Sequence, residues 1–228
     1  MNQAVISADV ISYTSLTENE RLKLSITIKQ LLEDLSFRYS NIDFFGRLVK
    51  GDLIECAMNS PKMSLRVALL LKTFIKTFDF GTDEKTATRL KYFKMYGIRT
   101  VVAVAPLNRI DPINGIIDGE AIFLSGRTLS NYSTSDKQKI FIKNSLSFVS
   151  TQKDFLEKFD AFFSLIDEII SKCSAKQSEV LYYKLLGYHE KKIAQQLQKS
   201  QSTVSQHSTA AGWISIEKAL LYFENNIE

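Results

Sequence analysis

Residues 44–58 have the sequence FFGRLVKGDLIECAM, in which two apolar runs are separated by a Lys-Gly-Asp tripeptide. The runs at 44–49 and 53–58 predict two β-strands. Gly51 predicts a tight turn between them, because glycine tolerates a positive φ at no steric cost. The carboxylate of Asp52 is therefore expected at the tip of a strand pair. An acid in that position needs a cation, a basic partner or solvent around it.

A second acid, Asp9, follows the apolar run 4–8 near the start of the chain. If strand pairing brings Asp9 beside Asp52, the two carboxylates form an oxygen-ligand site suited to Mg²⁺. The alternative for either acid alone is a turn or helix-capping role, since Asp favours both positions.

The order of the predicted elements supports this pairing. Apolar periodicity through residue 104 predicts strand, helix, strand, strand, helix and strand. The corresponding residues are 3–10, 17–39, 44–49, 53–58, 63–78 and 97–104. This order is the split βαβ, or ferredoxin-like, arrangement of an α+β domain. It places the end of the first strand beside the hairpin, so Asp9 and Asp52 are expected to converge.

The following residues are less regular in pattern. Residues 106–115 predict a loop, 118–131 a helix, 139–143 a short strand and 155–170 a long amphipathic helix, whereas 89–96 fit neither class clearly. We predict an α+β domain followed by a small all-α domain. The expected boundaries are 1–150 for the first domain, 151–174 for a connecting helix and 175–228 for the second domain.

Composition favours a cytoplasmic protein. The 228 residues are 45% hydrophobic, which is enough for a proper core. No apolar run approaches the roughly 20 residues of a membrane span. The N-terminus has no basic region and no cleavage signal, and the two cysteines lie far apart in the sequence. These features predict reduced thiols, no secretion and no membrane partner.

Three short motifs carry a resemblance to a known class of enzyme. They are DVISYTSL at residues 9–16, Gly51-Asp52 at the hairpin, and GEAIFLSGR at residues 119–127. In this order they resemble the two metal motifs and the late helix of class III adenylate and guanylate cyclases.

A closer resemblance is to the SatD family of bacterial proteins. The chain is similar to that family in an Asp near the start, an early Arg (here Arg21), a Gly-Asp after the second strand, and a DG-x-A-[FI] helix with an Arg. The last motif corresponds here to residues 118–122 and Arg127. The resemblance covers nearly the whole chain.

The resemblance also implies a site. Asp9 and Asp52 would bind Mg²⁺ together with a nucleotide, and Arg127 would contact a phosphate group. Lys50 and Arg47 would add positive charge near the hairpin.

Arg99 would add positive charge in the same region. Three other positions depart from the cyclase pattern. Leu48 replaces a base-reading Lys, Phe123 a ribose-contacting Asn, and Ile116 a base-reading Asp. The resemblance therefore implies a degenerate site that keeps metal and phosphate contacts without those to purine and ribose.

The C-terminal residues 176–223 predict short helices at 176–186, 190–198 and 201–211. The pattern Ile-Ala-x-x-Leu in the second helix, followed by Ser-Thr-Val-Ser in the third, is typical of a helix-turn-helix. It also resembles the C-terminal segment of SatD proteins. The expected DNA contacts, to phosphates or base edges, are Lys191, Lys192, Lys199, Gln201, Ser202, Thr203, Ser205, Gln206 and Thr209.

The first functional hypothesis is a DNA-binding transcriptional regulator with a degenerate cyclase-like domain. From residue 172 onward the chain has seven Lys and five Glu, a net charge of only +2, so tight DNA binding would need a homodimer. The second hypothesis is a nucleotidyl-transfer enzyme using two-metal chemistry at Asp9 and Asp52. A third treats the chain as a protein-interaction scaffold.

Overall fold

A five-stranded mixed sheet forms the centre of the protein. The computed structural model describes residues 2–81, 84–139, 142 and 144–227. The strands are β1 (Gln3–Val10), β2 (Phe45–Val49), β3 (Leu53–Met58), β4 (Ile98–Ala105), β5 (Leu107–Asp111), β6 (Ile116–Gly119) and β7 (Leu146–Ser150). The main sheet has the order β2-β3-β1-β4-β7, with β1 antiparallel to both neighbours and β7 parallel to β4. β5 and β6 form a separate antiparallel ribbon.

Helices lie before, between and after these strands. They are α1 (Glu18–Arg38), α2 (Ser64–Lys76), α3 (Glu84–Arg89), α4 (Lys91–Tyr96), α5 (Glu120–Lys139), α6 (Lys153–Lys172), α7 (Ala175–Leu185), α8 (Glu190–Gln196), α9 (Gln201–Ala210) and α10 (Trp213–Asn226). None of the described helices is both long enough and apolar enough to cross a membrane. The α+β class predicted from the sequence is confirmed.

The two faces of the sheet bury different residues because side chains alternate along a strand. Ile6 and Val102 belong to the large core that also contains residues of α1 and α2. Val5 and Ala103 face the other way and pack with Ala121 of α5. The end of β1 therefore has α5 on one side and the large core on the other.

The last helices return to this core. Phe148 of β7 lies 5.1 Å from Phe163 of α6 and 6.1 Å from Phe223 of α10, measured between ring centroids. Tyr182 of α7 packs on Phe74 of α2 at 5.1 Å. The C-terminal helices thus contact both the sheet and α2 through aromatic side chains.

Several predicted elements are confirmed and others need correction. The hairpin of β2 and β3 is present, and α1 begins with the predicted capping box of Thr17 and Glu20. The predicted loop at 106–115 is wrong for half of its length, because Leu107–Asp111 forms β5. Most of the predicted strand at 139–143 lies outside the described residues, and Lys139 itself ends α5.

Candidate functional site

The end of β1 and the β2–β3 hairpin bring the two predicted metal acids to the same end of the sheet. Asp9 pairs with Leu53 of β3, the residue next to Asp52. The backbone N–H of Val10 donates a hydrogen bond of 3.1 Å to the carbonyl oxygen of Asp52. This part of the prediction depends on strand register alone, and both acids are half-buried.

The backbone of the hairpin turn has an unusual conformation, with two consecutive residues at positive φ. Lys50 has φ 53° and Gly51 has φ 84°. A Cβ atom on Gly51 would lie 2.5 Å from the hydroxyl oxygen of Tyr13. Glycine is therefore needed here for its conformation and for space. The tight turn holds Asp52 in place, while the side chain of Lys50 is exposed.

Asp9 already has a cationic partner. Arg99 lies opposite Asp9 in the register of β1 and β4. Its Nη1 atom donates to both carboxylate oxygens of Asp9, at 2.8 Å and 3.1 Å. Arg99 is only 6% exposed, so this charge-assisted contact is shielded from water.

The residues at this end of the sheet do not fit a resident Mg²⁺ ion as they stand. Asp9 and Asp52 are a reasonable pair of oxygen donors, because Mg²⁺ is often held by one or two carboxylates. However, a guanidinium already contacts both oxygens of Asp9. Within the part of the chain that the structure describes, no three His, Cys, Asp or Glu side chains are grouped as metal ligands.

The structure shows the surroundings of the two arginines that were expected to contact phosphate. Arg47 is held by Glu55, with Nε to Oε2 at 2.8 Å, and it also donates to the carbonyl oxygen of Gly115. Arg127 lies two residues after Ser125, which is buried against Ser7 of β1 at 2.8 Å between the hydroxyl oxygens. Two residues turn an α-helix by about 200°, so Arg127 is on the exposed side of α5.

A buried polar cluster near the start of β4 was missed by the sequence analysis. Lys72 of α2 donates to the carbonyl oxygens of Ile98 and Ser145 at 3.0 Å and 2.9 Å, and to the Ser145 hydroxyl at 2.8 Å. Its Nζ atom lies 3.5 Å from Asp167 of α6. Burial lowers the pKa of Lys72. A lysine inside the apolar run of α2 was the available signal.

Helices α7, α8 and α9 form a second candidate site. Val180, Ile193, Ala194 and Val204 are buried together at the centre of these helices. Four residues connect α8 to α9, and among them Gln198 has φ 52°. A single left-handed residue in a short turn allows two helices to cross at a sharp angle.

The starts of α8 and α9 are both capped by side chains. His189 accepts from the backbone N–H of Lys192 at 3.2 Å. Ser200 accepts from the backbone N–H of Thr203 at 3.1 Å, and the Ser200 and Thr203 hydroxyl oxygens are 2.8 Å apart. These contacts define where each helix begins. The Ser202 hydroxyl also lies 2.8 Å from that of Ser200, so two predicted DNA contacts, Ser202 and Thr203, have a hydroxyl partner within the protein.

The outer surface of α9 carries a polar row. Ser202, Gln206 and Thr209 are exposed at positions i, i+4 and i+7, so they lie on one side of the helix. Gln201 is also exposed and Ser205 is half-buried.

The three lysines predicted to contact phosphate, two on α8 and one in the turn after it, differ in how exposed they are and in their partners within the protein. Lys191 is exposed, and the Nζ atom of Lys192 lies 3.6 Å from the ring centroid of Tyr188. Lys199 is half-buried, and its Nζ lies 3.4 Å from Glu179. Lys191 and Lys192 therefore offer charge to a partner more readily than Lys199.

No family model matches the chain, and no curated protein matches it. Among solved structures, it is similar to adenylate cyclases from Trypanosoma brucei in their monomeric state, at 16% and 18% identity. These matches cover 57% and 56% of this chain, 68% and 67% of those chains, and have TM-scores of 0.43 and 0.40.

A bacterial light-regulated adenylyl cyclase also matches, at 13% identity and a TM-score of 0.42. The match covers 65% of this chain and 43% of that one, so less than half of that enzyme is represented here. At these TM-scores the likeness carries no argument about fold or activity.

Proposed function

We propose that this protein binds DNA through α8 and α9, with α9 as the recognition helix. The observation that supports the proposal is the exposed row of Ser202, Gln206 and Thr209 on a capped helix. Short polar side chains of this kind can contact base edges and phosphates. Lys191 and Lys192 of α8 supply positive charge on the supporting helix, where phosphate contacts are expected.

The proposal includes a homodimer, a cytoplasmic location, and an N-terminal cyclase-like domain of the kind that the SatD resemblance implies. A single C-terminal segment carries a net charge of only +2. Two copies on one duplex would double the number of phosphate contacts, and affinity rises steeply with that number. Light scattering of the purified chain, alone and with DNA, tests the stoichiometry. A strictly 1:1 complex would contradict the dimer.

The test of DNA binding is fluorescence anisotropy with a labelled pool of random-sequence duplex and the full chain. Between about 50 mM and about 200 mM salt the affinity should fall, because counterions are released on binding. Lys191→Ala/Lys192→Ala should bind more weakly and reduce the salt slope by about 2. The matched control is Lys23→Ala/Lys29→Ala, which removes two exposed charges from α1, outside the proposed surface.

The control should bind like the unmodified protein. Equal binding by the two double variants would contradict the proposed surface, and no association even at the lower salt would remove the proposal altogether. Selection of duplexes by the intact protein would then compare Gln206→Ala with the unmodified chain. A change in the selected sequence is expected if Gln206 contacts bases.

A second candidate function is nucleotidyl transfer at the end of β1. The placement of Asp9 and Asp52 at the same end of the sheet favours it, whereas the Arg99 ion pair with Asp9 opposes it. The test is incubation with ATP or GTP and a divalent cation, followed by chromatography of the nucleotides. Conversion that Asp52→Asn abolishes would support the activity, and an unchanged nucleotide would exclude it. The scaffold hypothesis gains only if DNA and nucleotide tests both fail.

A further inference from the structure

The side chain of Arg99 takes the position where a cation would meet Asp9. Nη1 is within hydrogen-bond distance of both Asp9 oxygens. The two residues face each other across β1 and β4, so their backbones set the separation and no long flexible segment is involved. Because Arg99 is buried, its charge is poorly screened by solvent, and it acts strongly on anything that approaches Asp9.

The backbone on both sides of Arg99 is fixed by the buried cluster described above. Lys72 binds the carbonyl oxygen of Ile98, the preceding residue. The backbone N–H of Thr100, the following residue, donates to the carbonyl oxygen of Ser145 at 2.9 Å. The backbone that carries Arg99 is thus hydrogen-bonded on both sides within β4.

The charges around this position disfavour a divalent cation. Arg99 neutralises Asp9, which leaves Asp52 as the second carboxylate of the pair. A divalent ion between the two acids would be repelled by the nearby guanidinium in a partly desolvated environment. The same arginine that stabilises Asp9 would therefore weaken metal binding.

We propose that Arg99 is an internal counter-ion that replaces a divalent metal at the end of β1, so that Asp9 and Asp52 bind no such ion while Arg99 is present. The counter-ion is part of the chain, so it is present whatever the concentration of free divalent metal. The proposal is independent of DNA binding. It bears on the second candidate function, which it opposes.

The test uses the full chain and Mn²⁺ alone, with free Mn²⁺ followed by electron paramagnetic resonance. The unmodified protein should show no saturable site up to about 1 mM, the weak end of protein affinities for hard cations. Arg99→Gln should create a site that binds at least about tenfold more tightly, a difference of 1.4 kcal/mol. Adding Asp9→Asn or Asp52→Asn to that variant should remove the new site. Arg99→Lys, which keeps the charge, should behave like the unmodified protein.

Two results would overturn the proposal. One is saturable Mn²⁺ binding by the unmodified protein that Asp9→Asn abolishes. The other is a folded Arg99→Gln variant that binds no Mn²⁺. If that variant does not fold, thermal unfolding of the unmodified chain with and without MnCl₂ decides the matter. An unchanged melting temperature supports the proposal, and a saturable rise that is lost in Asp9→Asn refutes it.

Discussion

Replacement of Lys72 by Met tests how much the buried cluster contributes to stability. Lys72 and Asp167 have side chains that are 1% and 8% exposed, and the Nζ–Oδ1 distance is 3.5 Å. Lys153 and Glu157 on the surface of α6 lie at nearly the same distance, 3.4 Å, but are 85% and 67% exposed. The two pairs therefore differ mainly in their contact with water.

The expected costs follow from this difference. Lys72→Met leaves the Asp167 carboxylate buried without its cation, and breaking a buried pair in this way costs about 3–5 kcal/mol. The carbonyl oxygens of Ile98 and Ser145 also lose a donor. Lys153→Met removes a solvent-screened pair, which contributes about 0.5 kcal/mol or less.

The assay is urea unfolding at neutral pH, followed by circular dichroism, with the free energy of unfolding obtained by linear extrapolation. The double variant Lys72→Met/Asp167→Leu should recover part of the loss, because neither charge then remains buried. The reasoning is refuted if Lys72→Met costs no more than Lys153→Met. It is also refuted if Lys72→Met and Asp167→Leu are additive, since residues in one network should couple.

Three further predictions concern other parts of the fold. Gly51→Ala should lower the free energy of unfolding by about 1–2 kcal/mol, because alanine is strained at the positive φ of this position. The new Cβ atom would also clash with the Tyr13 hydroxyl, and Tyr13→Phe in the same chain should relieve part of that clash. Urea unfolding that shows no loss for Gly51→Ala would contradict this prediction. Phe148→Ala should cost about 3–5 kcal/mol by calorimetry, whereas a loss below about 1 kcal/mol would mean that the aromatic cluster adapts. Burial lowers the pKa of Lys76 from 10.5 to about 8, so the unfolded chain binds more protons between these values. The stability of the unmodified protein should therefore rise with pH across that window relative to Lys76→Met, and parallel curves would refute the shift.

Short sequence motifs were sufficient to predict the elements that are determined by neighbouring residues. The Lys-Gly turn between two apolar runs identified the β2–β3 hairpin, and the capping box identified the start of α1. The β5–β6 ribbon was missed because its strands are short and its sequence is polar, LNRID in β5. Its two strands pair with each other and not with the main sheet, and periodicity over five residues cannot reveal this.

The candidate site shows the same limit. Strand order was sufficient to predict that Asp9 and Asp52 share one end of the sheet. The ion pair of Asp9 with Arg99 depends on the register between β1 and β4, which joins residues 90 positions apart. Neither the composition nor the spacing of motifs specifies that register. The exposed side of α5 that carries Arg127 could have been found, because the buried positions of a helix recur at intervals of three and four residues.

The aromatic contacts of α10 bear on how this protein could be rearranged. α7 packs on the large core through Leu181 and Leu185, and α10 returns to it, with Phe223 4.9 Å from Phe159 of α6. The two helices between them, α8 and α9, are therefore held to the core on both sides. A chimera that exchanges α8 and α9 with those of another protein would need two splice points, one near residue 187 and one near residue 212. Replacement of everything beyond the first splice point would also remove part of the core beneath the sheet.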